Sequence, residues 1–313
     1  MAGPVNAAVI NSVARKSFFD AVQAAANARF YPKIAMEVPQ ETITADYVSF
    51  GSVPEPMQIS GSLAGGTVRS AAIKDYRMPV TALEWKHSAN MPRSIAETNM
   101  AEVARVNRQF GQKAEVFFDR ECVAALESTT TLGYDGVALF SGAHPESGTN
   151  QDNATTTNIT TPSNPTAADH ETGLKTAMEA LRDFRDDQGT PVNEGVTDFF
   201  MLVSVEHEHM THIVLDPTMS NQAVDSSGGT GRFRGRIKFQ VSAYVDNDRF
   251  YLFALDAGET PLARIMVQPW DHWSNIGTDA DSWRGGHLAI FNGYSQWRIV
   301  PWKWSRGVQH IYT

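Results

Sequence analysis

An α+β chain is predicted from three observations: an amphipathic helical opening, a long stretch of short alternating runs broken by Pro and Gly, and one helical stripe of about 33 residues followed by mixed and then β-like segments. With 313 residues, 42% of them hydrophobic, the chain has enough apolar material for a substantial core in one large domain or two ordinary ones.

The opening comes first. Val9, Val13, Val22 and Ala26, with Phe18 and Phe19 between them, recur at helical spacing and stop before Pro32, which predicts a helical arm. Over residues 46–92, Pro54, Pro56, Gly61, Gly65, Gly66 and Pro79 punctuate short alternating runs such as Arg77–Trp85, so a two-stranded excursion with little core of its own is expected. Ser94-Ile-Ala-Glu97 then has the form of a capping box, and a long helix is predicted to start there. Met100, Val103, Val106, Phe110, Ala114, Phe117 and Val123–Leu126 carry its apolar stripe for about 50 Å at the helical rise. Gly111 within it costs ~1 kcal/mol unless it marks a close contact. Such a helix, without a membrane-length apolar run, reads as a structural spine.

The tract from Pro145 to Pro165 has only Ala154 and Ile159 as aliphatic residues and is predicted to be an exposed loop. Thr166 is placed to cap a helix with the stripe Leu174, Met178, Leu181 and Phe184, ending by Gly189. Phe199–Val203 is a short buried strand, and Ser204 is expected to cap the helix after it. A Gly-rich loop, a hairpin from Arg236 to Leu255 turning at Asp246-Asn-Asp248, and β-like, Trp-rich segments complete the chain, with no internal repeat of 20 to 50 residues.

Charge excludes some functions. The net charge of −9 argues against general affinity for nucleic acid or an anionic membrane, although it is uneven: residues 1–231 hold 16 basic and 28 acidic residues, 232–313 hold 10 and 7. The single cysteine, Cys122, rules out an intramolecular disulfide, a Cys-based zinc site and an iron–sulfur cluster, and fits a reducing compartment. Neither an export signal nor a run of roughly 18 apolar residues is evident, so a soluble protein made in the cytoplasm is expected. The sequons at Asn153 and Asn158 are the coincidence that a Thr- and Asn-rich tract produces.

Candidate chemistry is thin. Ser204–His212, SVEHEHMTH, suggests a metal-binding helix, but the H-E-x-x-H pattern begun at His207 has Thr211 where the second His belongs. At about 100° per residue, Met210, Ile213 and Val214 would face the core, leaving Glu208, His209 and His212 as metal candidates on a wet face, or as a pH-sensitive contact. No fourth ligand accompanies them. Gly228–Gly235 lacks both the Lys-Ser/Thr pair of a P-loop and a following helix. Arg232, Arg234, Arg236 and Lys238, alternating with apolar residues, suit a charge-protected edge strand or an acidic neighbouring subunit better than a nucleic-acid reader. Asp135, Ser141 and His144 are the residue types of a nucleophilic triad without a G-x-S-x-G elbow, and Cys122 reads as inert packing. Trp297, Trp302 and Trp304 share parity only in part, which would divide them between a core and an interface. The residues thus give no catalytic, cofactor-binding or metal site.

The segment Gly133-Tyr-Asp-Gly-Val-Ala-Leu-Phe-Ser-Gly-Ala-His-Pro145 resembles the phage Mu-like major head subunit family, in which a Tyr-Asp-Gly segment after a helix leads to an aromatic and a His-Pro pair. Phe30-Tyr-Pro-Lys-Ile-Ala-Met36 leading to a strand near Tyr47, Phe200–Ser204 and Asn292-Gly-Tyr-Ser-Gln-Trp297 agree with it. The resemblance implies the tailed-phage major capsid (HK-97-like) fold: 1–45 an N-terminal arm, 46–92 an extended loop, 93–132 a peripheral domain with the spine helix, 133–260 mainly an axial domain, and 261–313 a β-rich tail returning to the peripheral domain. It implies a non-enzymatic major capsid protein, without cofactor, assembled in a bacterial host's cytoplasm into hexamers and pentamers of an icosahedral virion shell. That shell encloses double-stranded DNA without sequence-specific binding and without a membrane. A scaffold protein, a portal and a decoration protein are the expected partners, the scaffold being separate because no large segment precedes the arm. No Lys/Asn pair for covalent crosslinking stands out. Two alternatives stay open: an encapsulin-like nanocompartment shell of the same fold, and a metal-dependent hydrolase using Glu208, His209 and His212.

Overall fold

A computed structural model of the chain describes residues 7–38, 43–44, 47–50, 76–145, 150–186, 189–215, 235–255, 259–276 and 285–313. Most of the predicted excursion (51–75) and of the Gly-rich loop (216–234), with Arg232 and Arg234, lies outside them. The elements are α1 (Ala7–Ala26), α2 (Tyr31–Ile34), β1 (Ala35–Val38), β2 (Ile43–Thr44), β3 (Tyr47–Phe50), β4 (Tyr76–Pro79), β5 (Leu83–Pro92), α3 (Arg93–Thr98), α4 (Met100–Glu127), β6 (Ala154–Thr157), α5 (Ala167–Asp183), β7 (Phe199–Val203), α6 (Glu208–Leu215), β8 (Ile237–Val241), β9 (Arg249–Ala254), β10 (Leu262–Ser274), β11 (Leu288–Pro301) and β12 (Gly307–Tyr312). Among the described residues no helix is long and apolar enough to cross a membrane.

The chain divides into two units. The first comprises Met1–Gln40, Ala82–Ala124 and Arg264–Ile299. Its sheet has the order β1-β10-β11-β5, with β11 antiparallel to β5 from Leu288↔Pro92 to Trp297↔Leu83. Along β11, Ala289, Phe291, Gly293, Ser295, Trp297 and Ile299 are buried and their neighbours half-buried, the period of two that one covered face imposes. Ile10 and Ala14 of α1, Met91, Ala96, Val103, Ala289 and Phe291 form a shared core. Gly111 is the close contact its place in the stripe required, since a Cβ there would overlap Phe18 O and crowd Ala21 of α1.

The predicted spine helix does not start at Ser94. Pro92 occupies the N-cap position of α3, so Ser94 already lies inside the helix and cannot cap it, and Glu97 receives Arg93 Nε at 2.8 Å instead. The chain breaks at Asn99 (φ −128°, ψ 81°), whose Oδ1 accepts from Glu102 N at 3.1 Å and caps the 28-residue α4.

The second unit comprises Glu41–Thr81, Ala125–Ala263 and Val300–Thr313. Within the predicted excursion (46–92), β3 and β4 pair antiparallel and β2, just before it, adds a third strand, while the last part of the excursion is β5 of the first unit's sheet. The larger sheet has the order β6-β12-β9-β7-β8. Here the predicted Arg236–Leu255 hairpin fails: β7 lies between β8 and β9, parallel to one and antiparallel to the other. The reason is in β7 itself, because all five of its residues are buried and such a strand needs a neighbour on each edge as well as cover on each face. β8, with exposed Lys238, is left at the sheet edge. The tract read as an exposed loop contains β6, parallel to β12, and the fully buried Asn153. Thr166 caps α5 as expected, in a capping box with Asp169. Ser204 does not cap α6: its Oγ is buried without a partner, and α6 starts only at Glu208. The tail divides, with β10 and β11 largely in the first unit and β12 in the second. Trp297, Trp302 and Trp304 are all buried, because the alternation of β11 is lost at Ile299–Pro301, which are buried in succession, and with it the parity that would have separated them.

Candidate functional site

The SVEHEHMTH segment packs on a different face from the one its periodicity indicates. His207, Thr211, Val214 and Leu215 are buried, Met210 and Ile213 only half-buried, so the core face is rotated by about one residue. The buried face carries a polar pair, His207 and Thr211, which apolar periodicity does not register. Of the metal candidates, Glu208 and His209 are exposed, while His212 is half-buried, 4.7 Å edge-on to Phe239. Among the described residues no three His, Cys, Asp or Glu side chains are grouped to hold a metal ion.

Beneath α6, three histidines from distant parts of the chain come together. Tyr312 OH lies 2.7 Å from His170 Nδ1, and Thr211 Oγ1 lies 3.0 Å from His170 Nε2. Thr211 donates its own hydroxyl hydrogen to His207 O at 2.8 Å, so it accepts from His170, which fixes the ring as Nε2–H with Tyr312 donating to Nδ1. His310 Nδ1 meets Thr155 Oγ1 at 2.9 Å, and its ring stacks 5.0 Å from Phe250. Burial holds all three rings toward neutrality, pushing His170 down to about 3 and His310 down to about 4, with His207 also lowered.

Asp135, Ser141 and His144 come together without forming a triad. Asp135 Oδ2 is 2.6 Å from His144 Nδ1, but Nε2 faces Asn153 Oδ1 at 3.2 Å rather than a serine hydroxyl. Ser141 joins through its backbone N–H, which donates to Asn153 Oδ1 at 2.8 Å. Asn153 is oriented by three carbonyls, since its Nδ2 donates to Leu139 O (2.8 Å), Trp304 O (3.2 Å) and Gly307 O (3.3 Å). The His144 ring also stacks 4.3 Å from the Trp304 indole. The arrangement binds residues 133–153 to the last strand and leaves no nucleophile. The sequence hid Asn153 inside a polar tract; the β-branched run Thr155–Thr157 beside it was the available signal.

In the first unit, Phe30, Tyr31, Ile34 and Ala35 are buried. Tyr31 OH donates to Glu115 Oε2 at 2.8 Å and its N–H to Asp119 Oδ1 at 3.2 Å, while Arg29 lies 3.6 Å from Asp119. Arg264 spans Tyr31 and Phe118, 4.9 Å from each ring, and pairs with Glu37. Burial pushes the Asp119 carboxyl up to about 6, raises Glu115, and pushes the Tyr31 hydroxyl up to about 12. Cys122 is fully buried next to them and burial keeps its thiol protonated, as inert packing requires. In β11, Gly293 leaves room for His87, whose ring would occupy the place of any Cβ, Ser295 Oγ donates to Gln268 O at 2.9 Å, and Trp297 O accepts from Trp85 Nε1 at 3.1 Å.

The segments 30–36, 133–145, 200–204 and 292–297 therefore supply buried joints or core strand, with their polar groups largely spent inside the fold. The fold is the tailed-phage capsid (HK-97-like) fold. The PhiM1 bacteriophage mature capsid matches with a TM-score of 0.59 at 13% identity, over 91% of this chain and 87% of that one. A structure from Mycobacterium phage Patience matches with 0.55 at 12% identity, over 95% and 86%. The virus-like particle of Pyrococcus furiosus matches with 0.51 at 12% identity, over 96% and 98%. A comparison with curated proteins by sequence returns no match. The chain belongs to the phage capsid family: the model described as phage capsid protein matches residues 93–295, and that of the Mu-like prophage major head subunit gpT matches residues 8–169. It is a major head protein of a tailed phage, a structural component of the virion shell.

Proposed function

We propose that this head subunit assembles in the host cytoplasm as hexamers and pentamers of an icosahedral shell around double-stranded DNA, with a scaffold protein, a portal and a decoration protein as partners. In this reading 1–45 is the arm, 46–92 the extended loop, 93–132 the peripheral domain with its spine helix, 133–260 mainly the axial domain and 261–313 the returning tail. The observation that carries it is the match of the head-subunit family model to residues 8–169, a span that holds α1, residues 46–92 and α4. A wide excursion with little core of its own is stable when it lies on a neighbouring copy, and many such contacts hold a shell without a covalent bond. The net charge of −9 fits a container that does not grip its DNA.

The test is sedimentation and negative-stain microscopy of the chain expressed with and without a candidate scaffold protein. Closed shells support the reading; a small species under both conditions overturns it. Nucleic acid inside purified particles separates the phage head from a nanocompartment with protein cargo.

A further inference from the structure

The second unit holds a buried cluster of His170, His207 and His310. His170 is the one side chain among its hydrogen bonds that touches three elements, lying on α5 and meeting Thr211 of α6 and Tyr312 of β12. His310 closes the same face from below. Its Nδ1–H is matched by Thr155, whose hydroxyl hydrogen is directed to Gln309 O, but its Nε2 has no partner. That bare nitrogen points at the backbone of α5: a Cβ on Gly173 would sit 2.6 Å from it and 3.1 Å from Tyr312 OH. The missing side chain at Gly173 is what lets α5 descend onto a neutral ring.

We propose that the α5–α6 layer is an acid-releasable cover, held on β12 and β9 by neutral His170 and His310 and detaching from the sheet when these rings take up protons. A proton on His310 Nε2 creates an N–H facing a helix backbone with no acceptor provided. A proton on His170 charges a ring 5.8 Å from His207. Among the described residues no carboxylate offsets either charge. From α5, Asp169 is held in its capping box with Thr166, and its field falls on Tyr312. From the loop before β9, Asp248 acts on His207 and is bonded to Arg249 at 2.7 Å, while Asp246 pairs with the same arginine at 3.1 Å. From α6, Glu208 is exposed; β6 contributes neutral Thr155, and β12 contributes Tyr312, whose hydroxyl burial keeps protonated. His207, with Asp248 and backbone carbonyls near it, resists protonation less and is not needed for the device.

Release follows because the rings regain water only when the cover lifts. A histidine of ordinary value near 6.5 favours the open form by roughly 30-fold at pH 5 relative to neutral pH. The test is hydrogen exchange by mass spectrometry on the full chain at pH 7.5 and 5.0, corrected for intrinsic rates and read on peptides spanning 167–183, 208–215 and 100–124. Protection of the first two is expected to fall at least about tenfold at pH 5 while that of 100–124 does not fall. The variant H170Q/H310N keeps a donor for Thr211 and one for Thr155 but cannot titrate, and it should lose this pH dependence. Unchanged protection of 167–183 and 208–215 at pH 5 overturns the proposal, as does an equal loss across all three peptides. So does a folded H170Q/H310N chain that responds like the parent, and the native chain alone decides if that variant does not fold. The readout is independent of shell formation, so failure of either reading leaves the other standing.

Discussion

Changing Asn153 to an aspartate exchanges one NH2 group for an oxygen, with no change in size, at a residue that is fully buried. The group removed supplies the donors to Leu139 O, Trp304 O and Gly307 O at 2.8 to 3.3 Å. The oxygen that replaces it would face these three carbonyls as an anion. Leaving buried acceptors unmatched costs about 1–3 kcal/mol each, and local rearrangement relieves part of the sum, so a net loss of about 3–5 kcal/mol is expected. That is a large share of the roughly 5–15 kcal/mol that stabilises a typical domain. Carbonyl surroundings also raise the pKa of the introduced carboxyl, and in its protonated form it can donate to one of the three. The deficit of Asn153→Asp relative to the parent should therefore shrink as pH falls from 7.5 toward 5. Equilibrium urea unfolding of the unassembled chain at both pH values measures it. A deficit below about 1 kcal/mol at pH 7.5, or one of equal size at pH 5, would refute the assignment of Asn153 as the oriented centre of this joint.

Gly293→Ala should destabilise the first unit, by about 3 kcal/mol or more, because the new methyl occupies the place of the His87 ring; Gly293→Ala combined with His87→Ala should recover much of the loss in the same urea assay. The Tyr31 latch should tighten in acid. Asp119 has its folded value raised to about 6, so its stabilising contribution is complete below the ordinary value near 4 and is lost as pH rises through about 6. Lowering the pH from 7 to 5 should therefore gain about 1 kcal/mol there, seen as slower exchange in 29–38, and Asp119→Asn should abolish that gain. Deleting residues 54–80 should leave a helical, folded subunit by circular dichroism that forms no shells; loss of the helical signal would contradict the reading of that segment as an excursion without its own core.

Local physics made much of this fold readable in advance. The α5 cap at Thr166, the β7 run and the close contact at Gly111 each rest on periodicity or on one residue's steric character, which neighbouring residues alone reveal, whereas α1 forms as a helix but buries Ile10, Ala14, Phe18 and Ala21 and leaves Val9 of the expected stripe exposed. The motifs at 30–36, 133–145 and 292–297 marked where the chain matters, but not why. What they do depends on partners 84 to 212 residues away: Glu115 for Tyr31, Trp304 for Asn153, Trp297 for Trp85. The failures have the same origin. Ser94 matched a capping box and lost it to Pro92, which set the helix start two residues earlier. The β8–β9 hairpin was locally reasonable and was displaced by β7, whose buried edges neither strand could reveal. In SVEHEHMTH, spacing alone ruled out a zincin helix, while only the tertiary structure decided that His207 and Thr211 turn inward. There a threonine hydroxyl, a tyrosine 101 positions further on and the His170 ring satisfy one another in the absence of water.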